Sequence, residues 1–185
     1  FFKTEAYYTG LEMEARGETP SPASADMLES SIVPICLERC SLEGIPVCRW
    51  EISYAYMSVP SLVYGVNYFS DPTDHILVTE RSAVETAVKR VTHSGKYPFC
   101  YQPLDPGDRV DTHIAVLGSI PGAPHEVEDI GFRVYGLLGV PLASLVVVEG
   151  RSGYRLSSVG PVRYTSMTRQ QRDIILGTMG AANNG

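Results

Sequence analysis

Lysine is nearly absent from this chain. Only Lys3, Lys89 and Lys96 occur among 185 residues, against twelve arginines, and no lysine lies between Thr4 and Val88. The net charge is −6 and the isoelectric point near 5.2, a balance that sets aside nucleic acid and anionic membrane surfaces as principal partners. No apolar run approaches the roughly 20 residues of a membrane-crossing helix. No secretory leader is legible either, because Phe1 and Phe2 lead straight into polar residues. A start at Phe rather than Met reads as a processed, trimmed or renumbered chain. Four cysteines, Cys36, Cys40, Cys48 and Cys100, do not make a disulfide scaffold at this length, so a reducing cytosol and a cytoplasmic location are the default. With 44% hydrophobic and 19% charged residues, the chain is neither disordered nor low in complexity. It is one domain or two small lobes with a real core.

What is present is most informative between Glu126 and Pro161. Val127, Ile130, Val134, Leu137 and Leu138 recur at helical spacing, and Gly139 follows as a left-handed stop. Leu142 to Val148 is a short, β-branched run between Pro141 and Gly150, the pattern of a strand buried on both faces. Arg151-Ser-Gly153 is a turn, and Tyr154 to Val159 returns beside the first strand.

Earlier in the chain, Thr4 to Arg16 reads as a helix stopped by Gly17. Asp26 to Ser41 has helical spacing that Pro34 kinks or divides. An extended segment begins at Gly44-Ile-Pro-Val47. Glu51 to Tyr68 is strand or extended loop around Pro60 and Gly65, and His75 to Thr79 is a short strand after the Asp71–Asp74 turn. Ser82 with Glu85 suggests a capping box for a helix that runs from Ala83 to Val91 and is closed by Gly95. Strands follow at Phe99–Gln102 and Asp111–Gly118, joined by the Asp105–Asp108 turn. Ser166 or Thr168 is placed to cap a last helix to Met179, and Ala181–Gly185 reads as a frayed tail.

Three groups of residues resemble the ATP-grasp superfamily, carboxylate–amine ligase type, similar to ribosomal-protein glutamate ligases and D-alanine–D-alanine ligases. The first is the helix–Leu-Gly–strand–turn–strand string just described. The second is the ordered set Glu14-Ala-Arg-Gly17, Pro20-Ser21 and Gly44-Ile-Pro-Val47. The third is Phe99-Cys-Tyr-Gln102 followed by Asp111-Thr-His-Ile-Ala-Val-Leu-Gly118. The resemblance implies an α/β (α+β) fold of two small lobes, each an antiparallel sheet covered by helices, without the family's N-terminal domain. It divides the chain into a helical lead-in (1–50), a small central lobe (51–104) and a C-terminal lobe (105–185).

The resemblance also implies a site. Nucleotide contacts fall on Gln102, Pro103, Leu104, Asp111 and His113, where Pro103 replaces the hinge Glu and His113 replaces an Arg. The magnesium-binding residues fall on Val146 in place of an acid, Ser158 in place of a Glu and Gly160 in place of an Asn, none of which is a ligand, so the metal positions are degenerate. The two family lysines, one before Gly44 and one near Pro60, have no equivalents. Arg39 and Arg49 are the substitutes at hand, and Asp105, Asp108, Asp111 and Glu149 are the acids that could compensate. ATP and magnesium are therefore admissible cofactors that are not expected to be turned over, because unneutralised phosphates in a low-dielectric cleft are costly.

Other constellations are bland. Cys36, Cys40 and Cys48 match no usual zinc spacing and read as buried thiols. His113 is either an anion donor or base at the mouth of the cleft, or a hydrogen-bonded, half-buried histidine. His125 is an exposed first-turn residue. Ser157-Ser158 lacks a nucleophile elbow, and the tyrosines from Tyr54 to Tyr68 read as strand packing or as the lining of a groove. The leading reading is a non-catalytic ATP-grasp relative that binds a protein partner, a second copy of itself or a small ligand. The alternatives are an active ligase with relocated metal ligands and a nucleotide sensor that hydrolyses nothing.

Overall fold

A computed structural model describes residues 4–67, 70–162, 167, 172–173 and 176–177. The lead-in is a three-helix array. Helix α1 spans Glu5–Ala15 and is capped by Thr4, whose side chain accepts from the Tyr7 amide. The expected Asp26–Ser41 helix is two helices, α2 (Ser24–Ser30) and α3 (Val33–Leu42), with Pro34 in the first turn of α3. Proline tolerates that position because its missing N–H would lack a helical partner anyway. Glu14 of α1 holds the start of α2, accepting from the Ser24 amide at 2.7 Å and the Ser24 hydroxyl at 2.6 Å. Those bonds hold its carboxyl below the ordinary value.

The central lobe is a four-stranded antiparallel sheet of β1 (Glu51–Ser53), β2 (Ser61–Gly65), β3 (Ile76–Val78) and β4 (Phe99–Pro103), in the order β1-β4-β2-β3. Helix α4 (Val84–Val91) covers its outer face, placing Ala87, Val88 and Val91 against Val63, Val78, Phe99 and Tyr101. The capping box is not formed. A 3-10 turn at Arg81–Ala83 delays α4 to Val84, the Ser82 hydroxyl bonds Glu80 at 3.4 Å, and Glu85 pairs with Lys89 instead.

The C-terminal lobe is a three-stranded antiparallel sheet, β5 (Arg109–Val116), β6 (Leu142–Gly150) and β7 (Gly153–Pro161), in that order. Helix α5 (His125–Leu138) packs on it through Val127, Ile130, Val134 and Leu138, and ends at Gly139 with φ +62°. Residues 143 to 148 of β6 are all buried, as a strand covered on both faces should be. The Gly44–Val47 segment joins this lobe as well: Leu156 donates to Pro46 O and Cys48 donates to Leu156 O, both at 2.8 Å. One core runs through α3, α5 and both sheets, including Leu62, Tyr64 and Cys100 of the first and Leu145, Val147 and Leu156 of the second. Caps Ser166 and Thr168, Ile174, Ile175, Met179 and the Ala181–Gly185 tail fall outside the described residues.

Two glycines let β5 reach α5. A Cβ at Gly131 would lie 2.5 Å from the Gly118 carbonyl oxygen and 2.9 Å from Ile120 Cδ1, whereas a Cβ at Gly136, on another side of the same helix, would meet nothing within 4 Å. Helix propensity favours alanine at both by about 1 kcal/mol. Gly136→Ala is therefore expected to raise the unfolding free energy by about 0.5–1 kcal/mol, while Gly131→Ala lowers it by about 1–3 kcal/mol. Urea unfolding of the two variants checks the opposite signs.

Candidate functional site

The interlobe face of the C-terminal sheet is built on β6 and β7. Val146 stands opposite Ser158, and Ser144 opposite Gly160. The ladder is interrupted between Val146 and Val147, where β7 carries one extra residue, Ser157. Such a bulge redirects side chains on its strand, and Ser157 reaches across to the other lobe. The Tyr64 hydroxyl lies 2.6 Å from Ser157 Oγ, Ser157 Oγ donates to Gln102 Oε1 at 2.6 Å, and Gln102 Nε2 donates back to the Ser157 carbonyl at 2.8 Å. A serine hydroxyl has one proton, so the donation to Gln102 makes Tyr64 the donor to Ser157. All three residues are 0% exposed. Burial pushes the Tyr64 hydroxyl well above its ordinary range.

Gln102, expected at a nucleotide hinge, thus has both ends of its amide committed to β7. Pro103 and Leu104 are half-buried, with Leu104 packed on the core. Side chains directly opposite on a ladder share a face. Asp111 opposes Val147 and His113 opposes Leu145, both members of the core beneath α5, whereas Thr112 opposes Val146. Thr112, then, shares the face of the expected metal positions, while His113 and Asp111 lie on the other. His125 is exposed at the start of α5.

The donors at the expected metal positions do not suit magnesium, which takes hard oxygen ligands, chiefly carboxylates and water. Val146 and Ser158 are 0% exposed, and Ser158 Oγ makes no hydrogen bond, though it lies near enough to the Tyr64 hydroxyl to influence it. The third position, Gly160, is covered: a Cβ there would lie 2.4 Å from Thr73 Cγ2 and 3.1 Å from Pro72 Cγ. The neighbouring acids are committed elsewhere. Asp108 accepts from Arg155 at 2.6 Å with its side chain 2% exposed, and Glu149 pairs with Arg109. Arg39 is held by Asp26 and Glu29, each at 2.7 Å, and Arg49 faces Glu51. Among the described residues no group of three or more His, Cys, Asp or Glu is placed to hold a metal ion. The four cysteines are free and buried, with the Cys48 and Cys100 thiols pushed up to about 12 by burial, so they are poor nucleophiles. His75, in the turn over Gly160, is half-buried beside the Tyr64 ring, and burial lowers its pKa.

The bulge and the seat of Thr73 carried no signal in the sequence. The first is a matter of register between β6 and β7, and the second joins residues 87 positions apart.

Comparison with solved structures identifies the fold. A RimK domain ATP-grasp protein from Sphaerobacter thermophilus superposes with a TM-score of 0.66 at 19% identity, over 93% of this chain and 75% of that one. The ATP-grasp ligase PsnB, in complex with a precursor peptide and AMPPNP, superposes with a TM-score of 0.55 at 17% identity, covering 91% of this chain and 60% of that one. The D-alanine–D-alanine ligase from Helicobacter pylori gives 0.62 at 12% identity, over 84% and 58%. The chain thus spans about 60% of the length of the latter two. No protein-family model and no curated protein matches the sequence. The chain has the ATP-grasp fold, here two antiparallel sheets with helices.

The polar bridge between the lobes generates a prediction. Ser157→Ala leaves the Tyr64 hydroxyl and Gln102 Oε1 buried without partners, and should cost about 2–4 kcal/mol. Ser158→Ala removes a hydroxyl that has no partner and should be neutral within about 0.5 kcal/mol or stabilising. Chemical denaturation of both variants beside the parent protein provides the comparison.

Proposed function

We propose that this protein uses the ATP-grasp frame for recognition and not for ligation: a non-catalytic relative of the carboxylate–amine ligases that acts as a ligand- or partner-binding subunit. The observation that carries this reading is the interlobe face itself. Val146, Ser158 and Gly160 supply no carboxylate, two of them are wholly buried, and the third lies beneath Thr73 and Pro72. Bringing a triphosphate beside a carboxylate requires countercharge, and two cations on the strands of this sheet, Arg155 and Arg109, are already neutralised by Asp108 and Glu149.

A partner role is supported by apolar surface at the free edge of the central sheet. Ile52 on β1 is 53% exposed, and Tyr54 and Tyr56 just beyond it are 71% and 68% exposed. Edge strands with such side chains invite pairing unless they are covered. A second copy of the chain or a protein partner is the cover this reading supplies. No helix among the described residues is long and apolar enough to cross a membrane.

Calorimetric titration of ATP and of ADP, with and without magnesium, tests the reading. No binding tighter than about 100 μM is expected in any condition. Magnesium-strengthened binding below that value, with hydrolysis dependent on an acid substrate, would return the protein to the ligases. Light scattering at high concentration tests the partner half, which a strictly monomeric protein would count against unless a partner is captured.

A further inference from the structure

A cleft stands open on the outer side of the central lobe, between α4 and the Tyr54–Met57 segment that follows β1. Its volume is about 540 Å3, inside the roughly 300–1,000 Å3 of small-molecule sites. The deep side is apolar. Met57 is 6% exposed there, and the half-buried Val84 and Val88 pack on the same cluster beneath α4. Tyr54 and Tyr56 line the open side and are largely exposed.

The charges around this cleft do not balance. Lys89 is paired with Glu85 at 2.7 Å. Arg81, in the 3-10 turn that precedes α4, makes no ion pair and no side-chain hydrogen bond among the described residues. At the other end of the helix the polar groups satisfy one another: Thr92 Oγ1 donates to Val88 O at 2.6 Å and accepts from the Gly95 amide at 2.8 Å. The lip at that end holds His93 and Ser94 at φ +51° and +63°, left-handed values that residues other than glycine adopt only when their surroundings enforce them. One uncompensated guanidinium calls for one negative charge, and its planar fork fits a carboxylate through two hydrogen bonds. A polyphosphate would leave most of its charge unmet. The net charge of −6 repels anions in general, so the attraction is local to Arg81. Val84 and Val88 share a helix face about 6 Å apart along the axis, a span that suits a ring on a short chain.

We propose that this cleft binds a small monocarboxylate with an aromatic or aliphatic body. The carboxylate meets Arg81, the body lies on Met57, Val84 and Val88, and Tyr54 and Tyr56 flank its open side. This deepens the ligand-binding half of the function proposed above and rests on it for its role, since it names the class of molecule such a protein takes. Ile52 does not line the cleft.

Calorimetric titration of the full chain with 4-phenylbutyrate tests the site. A Kd below about 1 mM is expected, with amide shifts in NMR spectra confined to residues 54–57 and 81–95. The amine 4-phenylbutylamine, which has the same body and the opposite charge, should bind at least about tenfold more weakly. Arg81→Gln, at an exposed position, should weaken 4-phenylbutyrate at least about tenfold with Tm unchanged. Tyr54→Ala, also exposed, should weaken it about three- to tenfold, whereas Arg16→Gln on α1, which removes an equally exposed cation, should have no effect. A Kd above about 1 mM for 4-phenylbutyrate would overturn the site. So would equal binding of the amine, an affinity that Arg81→Gln leaves intact, or displacement of the acid by ATP. Magnesium-dependent ATP binding that leaves the 4-phenylbutyrate titration unchanged would sink the non-catalytic reading alone and leave this site standing.

Discussion

The structure depends on one buried chain of hydrogen bonds, Tyr64 to Ser157 to Gln102 and back to the Ser157 carbonyl. It is the polar contact that ties the central sheet to the C-terminal sheet through a common apolar core. Its members belong to β2, β4 and β7, so each strand's position conditions the other two. A buried hydroxyl or amide without a partner costs about 1–3 kcal/mol. The lobes therefore cannot separate along this line without exposing three such groups or leaving them unsatisfied. Water entering the gap could solvate them, but only by opening the core to which Leu62, Tyr64 and Leu156 all belong, which forfeits apolar burial of roughly 25 cal/mol per Å2.

That closure fits the charges. A cleft meant for a polyanion keeps cations in reserve, and here Arg155 and Arg109 of the C-terminal sheet are spent on local carboxylates. Arg155 with Asp108 is the clearest case. The acid is almost wholly buried, and Gly150 leaves the room for both groups, since a Cβ there would lie 2.7 Å from Asp108 Oδ1 and 2.8 Å from Arg155 Nη2. An ion pair of that kind fixes geometry; freeing its arginine for a ligand would strand a buried carboxylate, which is strongly unfavourable. Scarcity of lysine and prior commitment of arginine act in the same direction.

Much of the fold was legible because it is written in short-range patterns. The α5 stripe with its stop at Gly139, the apolar β6 run, the Arg151–Gly153 turn and the break of the second helix at Pro34 each follow from residues within a few positions of one another. What was not legible depends on register or on distant contacts. The capping box at Ser82 failed because a 3-10 turn, invisible to a four-residue motif, displaced the helix start. The face on which His113 stands depends on its pairing with Leu145, since a shift of one residue would exchange it with Thr112. The bulge at Ser157 is carried by two adjacent serines, a sequence without signal, and it shows only in the register of β7 on β6. The identities at Val146, Ser158 and Gly160 could be read directly, whereas the reason for glycine at position 160 could not, because Thr73 lies 87 residues away.

Those identities are coupled. A carboxylate at position 158 would enter a site that is fully buried beside the Tyr64 hydroxyl, and desolvation would drive it toward its neutral, non-ligating form. An asparagine at position 160 would collide with Thr73 and Pro72 before reaching any metal. An acid at position 146 would displace a valine that is 0% exposed in the middle of β6. Introducing any one of these ligands requires moving the turn, the bulge or the core around it, so the three positions form one arrangement. The sheets and helix stops are governed by local pattern and packing, and the interlobe face at these three positions is an interior. Architecture of this kind constrains where a site can stand and leaves its chemistry to the side chains that stand there.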